Sequence, residues 1–376
     1  MLRRFGALAL LFVVVLGCAV FAQNETVKLG IVCELSGGGA INGGMWKNGI
    51  ELAIDEINNA GGILGRQIVD FSVDTESQPP ISVAAMQYAV TKHPFAVFGT
   101  VYSSSTIANM QTLEDAGIIQ FVGSTSTAIY QQGNYNIFAT SQINQNVFPW
   151  LVRWMIDDLD VSKIVIVYTN DEMGSDGRDQ LQAAAATYGA EFDGIAIQTG
   201  QVDFAGEIAR IQQMGVDTIF LYGHEQENAA FMIQLRTLGV DLQVVGYSPT
   251  VNATAISLGG EAMEGVMGGV TFAVGYPSIQ DFAATFQLLY GEIPTHDAMK
   301  GYTAVYALKT AVEQVGEFDE GLVRDWLHNN TITTEMEPHI LLDTSYRQDG
   351  TIDRDFFLVK IEDGAQVIMQ VISSQE

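Results

Sequence analysis

Cysteine is nearly missing from this chain: Cys18 and Cys33 are the only two. One possible pair cannot build a disulfide framework, so the fold has to be held by buried apolar surface. Basic residues are also few, with 17 Lys+Arg against 44 Asp+Glu and a formal charge of −27. A surface this acidic repels phosphodiester backbones and anionic lipid, which excludes nucleic acid and a charged membrane surface as partners. Proline is sparse at 8 residues, and there is no low-complexity tract or internal repeat of 20–50 residues, so collagen-like, disordered and solenoid chains drop out. Beyond the first 23 residues no stretch supplies the roughly 18 apolar residues of a membrane span.

What is present is a chain of 376 residues, 48% of them apolar, enough for about two domains. Residues 1–22 read as a secretory leader. Arg3 and Arg4 form its charged start, Ala7–Leu16 its apolar stretch, and Val20 and Ala22 the small residues before cleavage at Gln23. A second reading takes Val15-Leu16-Gly17-Cys18 as a lipobox that anchors the chain by lipid at Cys18; the Leu next to Gly17 fits that motif poorly, and soluble release is preferred. The expected location is periplasmic or extracellular. Cleavage would leave Cys33 alone, inside an apolar run where a buried thiol is expected.

From Val27 onward, short β-branched runs alternate with stretches of helical period. Strand 27–33 is followed by a glycine-rich turn. Ile50, Ala53, Ile54 and Ile57 then share one face of helix 44–59. The rhythm continues through strands 67–73, 95–99, 118–122 and 136–140, and again through 163–168, 191–197, 217–222, 242–246 and 265–271, with helices between. Such alternation predicts an α/β fold of βαβ units with parallel sheets. The polar Ser141–Asn146 link marks a seam. After 271 helices 279–290, 298–315 and 319–328 follow, and then strands 337–342, 355–361 and 366–372. Glu362-Asp363-Gly364 gives a hairpin signal between the last two.

Signs of catalysis are scarce. There is no G-x-S-x-G, and His224-Glu225-Gln226-Glu227-Asn228 loses the second histidine of a zinc motif. The five histidines stand beside no obvious partner, and Asp55/Glu56 and Asp157/Asp158 read as solvated helix faces. The glycine cluster 37–44 departs from the dinucleotide fingerprint and reads as a flexible turn that lets backbone approach a small ligand. Neither enzyme, metal nor cofactor is expected. Two clusters remain: Tyr102-Ser103-Ser104-Ser105-Thr106 and Gly123-Ser124-Thr125-Ser126-Thr127. Each follows a strand and opens a helix, placing hydroxyls and free N–H groups side by side at the carboxyl edge of one sheet. Helix starts of that kind suit a carboxylate.

The segments KLGIVCELSGG, GIELAIDEINNAGGILGRQI, VFGTVYSSST and LEDAGIIQFVGSTST resemble the leucine/isoleucine/valine-binding family, the type I solute-binding subunits of ABC importers. The resemblance runs over roughly 27–372. It implies two Rossmann-like lobes joined by a three-strand hinge, 24–144 with 273–345 and 145–272 with 346–376, closing on a ligand like a Venus flytrap. It also implies a membrane permease as partner and a monomeric protein that binds a small carboxylate ligand, first of all a branched-chain or similar amino acid. On this resemblance Ser103 and Ser126 hold the carboxylate and the Ser124 carbonyl helps hold the ammonium. Asn42 covers the ligand, Tyr102 stands where a family cysteine would be, and Met173, His224 and Ser248 contribute from the second lobe. Ser248 replaces an acidic residue, and a neutral hydroxyl cannot offset a buried ammonium. A ligand without an amine, such as an aromatic carboxylate or amide, is therefore the alternative. Asp171, Glu225 and Glu227 could compensate, but read more simply as solvated loop charges. The same clamshell also serves in ligand sensors; a leader and the lack of a C-terminal membrane span favour transport.

Overall fold

A computed structural model of the chain describes residues 26–373; the expected leader and Cys18 lie outside them. The first half contains strands β1 (Thr26–Cys33), β2 (Gln67–Asp74), β3 (Ala96–Phe98), β4 (Ile119–Val122) and β5 (Ile137–Ala139). Helices α1 (Ala40–Asn59), α2 (Pro79–Val90), α3 (Ser103–Ala116) and α4 (Thr127–Tyr130) lie between them, and α5 (Asn144–Leu159) follows. The strands form one parallel sheet in the order β2-β1-β3-β4-β5.

The second half runs β6 (Lys163–Thr169), α6 (Glu172–Tyr188), β7 (Glu191–Ile197), α7 (Ala205–Met214), β8 (Thr218–Tyr222), α8 (Glu225–Thr237), β9 (Gln243–Gly246), α9 (Ser248–Val251), α10 (Ala253–Gly259) and β10 (Met267–Val270). Helices α11 (Gln280–Tyr290), α12 (His296–Val315) and α13 (Glu320–Asn329) follow. Next come the short strands β11 (Thr331–Ile332), β12 (Thr344–Tyr346) and β13 (Ile352–Asp353), then β14 (Phe356–Glu362) and β15 (Ala365–Ile372). The second sheet has the order β15-β14-β10-β9-β8-β6-β7. It is mixed rather than wholly parallel, because β14 returns antiparallel to β10 and pairs with β15 through the expected hairpin. Between β10 and β14 the chain leaves the second sheet for α11–α13 and a small separate sheet β11-β12-β13, with α12 packed on α1, so it crosses three times between the two halves.

Strand order reverses between β1 and β3 in the first sheet and between β6 and β8 in the second. The loops after those strands splay apart at the carboxyl edge and leave a crevice, the usual ligand position in an open α/β sheet. The loop after β3 carries Tyr102, the loop after β6 Asp171, and the loop after β8 His224.

Three sequence expectations need correction. The glycine cluster is not a turn as far as residue 43: α1 starts at Ala40 rather than at the expected 44, so Gly43 lies inside it. A Cβ at Gly43 would meet the Glu34 carbonyl oxygen at 2.0 Å, so glycine lets this helix lie directly on the end of β1. Residues 337–342 form no strand; Pro338–Ile340 is a 3-10 turn. Proline has a fixed φ and no N–H to give a sheet ladder. Glu56 is not a solvated charge either, since it accepts the hydroxyls of Tyr302 (2.7 Å) and Tyr306 (2.8 Å) and ties α1 to α12. The same two helices approach closely where a Cβ on Gly49 would lie 1.9 Å from the Ala298 carbonyl oxygen. Cys33 is a free, fully buried thiol, as expected, and burial pushes its pKa up.

Candidate functional site

A cavity of about 40 Å³ lies between the two sheets, lined among others by Asn42, Tyr102, Ser103, Met173, His224 and Ser248. Six of the eight residues singled out in the sequence are thus brought together. Ser124 and Ser126 are not among the lining residues; Thr125 takes their place. The Ser124 hydroxyl is buried under the turn, 2.6 Å from Thr106 Oγ1 and 3.0 Å from the Val101 carbonyl. Ser126 accepts from the Ala128 N–H as the cap of α4 and donates to Glu172 Oε1 at 2.9 Å.

The start of α3 is built as the serine cluster suggests, with one addition. Ser103 and Ser104 line the cavity, and N–H groups in the first turn of a helix have no intrahelical acceptor. Glu34, at the end of β1, already takes two N–H groups of the preceding loop, from Val101 (3.0 Å) and Tyr102 (3.3 Å). Burial raises its pKa to about 7, against the pull of these bonds. Sequence reading missed Glu34 because a lone acid after a strand carries no motif.

Contacts cross the cleft. Tyr102 stacks on His224 with ring centres 4.7 Å apart, and Thr125 Oγ1 lies 3.3 Å from the Tyr222 hydroxyl. Asn42 Nδ2 donates to both oxygens of Glu225 at 3.1 Å. The described conformation is therefore a closed one, with space for no more than a few water molecules. A second cavity of about 240 Å³ shares Asn42, Tyr102, His224 and Glu225 with the first.

The loop acids are not solvated. Glu225 is 3% exposed and Glu227 4%; Glu227 accepts the Gly200 N–H at 2.6 Å. Asp171 caps α6 through the Gly174 N–H and lies 2.6 Å from His224 Nε2. Burial opposes charge on both members of this pair, yet their bond and mutual attraction win, raising the His224 pKa and lowering that of Asp171. So His224 does have a partner, supplied by a residue 53 positions away.

Helix α12 adds residues that no motif announced. Asp297 and Lys300 are buried and pair at 2.8 Å, and Lys300 Nζ also donates to the Gly123 carbonyl at 2.8 Å. Burial, and then the charge of Asp297, push the Glu225 pKa up; His296 and Lys300 hold that of Asp297 down against its burial. Burial lowers His296 to about 4, so it is neutral near pH 7. Glu225, His296 and Asp297 place donor atoms within 4.8 Å of one another, a spacing that a cation could bridge.

A family model described as "Periplasmic binding protein" matches residues 26–366. The chain is 29% identical over 259 residues to the leucine-specific-binding protein of Salmonella typhimurium, covering 68% of this chain and 70% of that one. Its fold is similar to that of a branched-chain amino acid transporter substrate-binding protein from Streptococcus pneumoniae in complex with isoleucine. There the TM-score is 0.83 at 21% identity, over 93% of this chain and 99% of the other. It is also similar to a solute-binding protein of R. palustris in complex with benzoate, with TM-score 0.83 at 20% identity over 92% and 96%.

Proposed function

The chain belongs to the periplasmic binding protein family, and on that premise we propose that it is the extracytoplasmic substrate-binding subunit of an ABC importer. It takes a small carboxylate-bearing ligand, an amino acid of the branched-chain or a similar class, and hands it to a membrane permease. The observation that carries this reading is the cleft itself. Two sheets present their switch-point loops to one another, and the hydroxyl-rich start of α3 lines the space between them.

The ligand's carboxylate meets Ser103 Oγ and the N–H groups of the first turn of α3, where the helix dipole adds to the hydrogen bonds. The lobes, 24–144 with 273–345 and 145–272 with 346–376, then close over it. A ligand favours closure only through contacts it makes in the closed form alone. Binding is assigned here rather than catalysis, with the protein exported by its leader to the periplasm. The neutral Ser248, 2% exposed, favours a second reading, a ligand without an amine such as an aromatic carboxylate.

The test is a thermal-shift screen of the twenty amino acids, amides and aromatic acids, followed by calorimetry. A ligand that binds only the native state raises its melting temperature. The expected result is a shift by one or a few chemically related carboxylates; no shift with any of them would remove the reading.

A further inference from the structure

We infer that the cleft contains a cation subsite in which Glu225, from α8, and Asp297, from α12, together hold a protonated amine of the ligand. The inference rests on the solute-binding reading and deepens it. Three carboxylate oxygens converge on one nitrogen: Asn42 Nδ2 lies 3.1 Å from each oxygen of Glu225 and 2.9 Å from Asp297 Oδ2. A side-chain amide offers two hydrogens and no net charge, whereas an ammonium offers three and a full charge. In the closed form without ligand, the amide therefore stands where a cation would satisfy these oxygens better.

The charges point the same way. Asp171 is matched by His224 and Asp297 by Lys300. Glu225 forms no ion pair among the described residues: it accepts from the amides of Asn42 and Asn252, the latter at 2.7 Å, and the adjacent His224, which also attracts it, is bonded to Asp171. Two further polar atoms face the same problem. The Ser141 hydroxyl lines the cavity, is 1% exposed and has no hydrogen-bond partner among the described residues, and the buried hydroxyl of Tyr102 likewise has none. The cavity is thus under-satisfied in hydrogen bonds as well as in positive charge.

Closure assembles this subsite. Asn42 and Asp297 pack with the first sheet and Glu225 belongs to the second, so bringing the lobes together without a cation drives two carboxylates toward each other. A ligand amine removes that repulsion and adds hydrogen bonds made only in the closed form, which is what shifts the equilibrium. The acid that the family resemblance places at Ser248 is thereby supplied from other positions. Asn42 and Glu225 line both cavities, so the amine can be an α-amine next to the carboxylate or a distal one on a basic side chain. Asp297 already has an ammonium at 2.8 Å, which favours a monovalent organic cation over a divalent metal.

Calorimetry and thermal shift on the mature chain decide this. The probes are the twenty amino acids, their deaminated counterparts such as 4-methylpentanoate, benzoate, putrescine, and zinc or calcium chloride alone. An amine-bearing probe should bind, its deaminated counterpart should bind at least about 10-fold more weakly, and Glu225→Gln should weaken the amine by about 10- to 100-fold. Glu225→Gln should also raise the melting temperature of the unliganded protein, since it removes a buried carboxylate that faces Asp297 with no ion pair of its own. Asp297→Asn gives a second variant with the same expected loss. Leucine binding without putrescine marks an α-amine; arginine or putrescine binding marks a distal one. The inference is overturned if 4-methylpentanoate or benzoate binds as tightly as any amine, if Glu225→Gln leaves amine affinity unchanged, or if metal alone shifts the melting point and no amine does. The first of these outcomes leaves the solute-binding reading standing, whereas a complete absence of binding removes both.

Discussion

Ser103 and His224 show how a residue's role depends on what faces it. Ser103 is 3% exposed, and its hydroxyl accepts only a long 3.4 Å bond from the Ser126 N–H, which leaves it able to donate to a ligand oxygen. Ser103→Ala should therefore weaken carboxylate binding by about 1–3 kcal/mol through one lost charge-assisted hydrogen bond. Unchanged affinity by calorimetry would take Ser103 out of the site. His224 holds its raised pKa through Asp171. Its favourable contribution to stability is present at low pH and is lost as pH rises through that raised value. Asp171→Asn removes the bond and the attraction that most oppose burial and leaves only Glu225 and Glu227 against it, so the imidazole should titrate at lower pH than in the parent. Titration by NMR of the His224 ring reads this, and an unmoved midpoint would show that Asp171 does not set it. The serines were legible in the sequence because helix starts demand capping residues locally. Glu34, Asp297 and Lys300 were not, because nothing near them in the chain distinguishes them from surface charges.

Among the elements, α1 and α12 matter most for the site. Their close approach at Gly49 and Ala298, and again where a Cβ on Gly301 would meet the Trp46 carbonyl oxygen at 2.5 Å, fixes the distance between Asn42 and Asp297. Gly49→Ala would force the helices apart, costing about 1–3 kcal/mol in chemical denaturation and weakening ligand binding along with it. A variant as stable as the parent would show that the helices adjust freely. Helical period, strand spacing and the 362–364 hairpin were readable because each depends on neighbours within a few residues. The 337–342 run misled for the opposite reason: a short apolar stretch fits strand, helix or turn, and Pro338 with its tertiary neighbours decided among them.

For the whole molecule, the contacts across the cleft describe a closed form, held by Asn42 on Glu225, Ser126 on Glu172 and Tyr102 on His224. Repulsion within the unliganded cleft and a net charge of −27 both oppose that compaction in solution. Saturating ligand should therefore reduce the radius of gyration in small-angle scattering. Identical profiles with and without ligand would count against closure on binding.

The sequence by itself determined the α/β alternation, the two hydroxyl-rich turns at one sheet edge and the buried thiol of Cys33, since periodicity, capping and apolar runs are local properties of a chain. It also carried the family resemblance. Only the tertiary structure decided which charges meet. Asn42 lies 183 residues from Glu225 and 255 from Asp297, and whether such groups are solvated or locked together depends on the elements that bury them. Electrostatic energy in a closed cleft depends on distance in space and on lost water, and neither quantity is written in the order of residues.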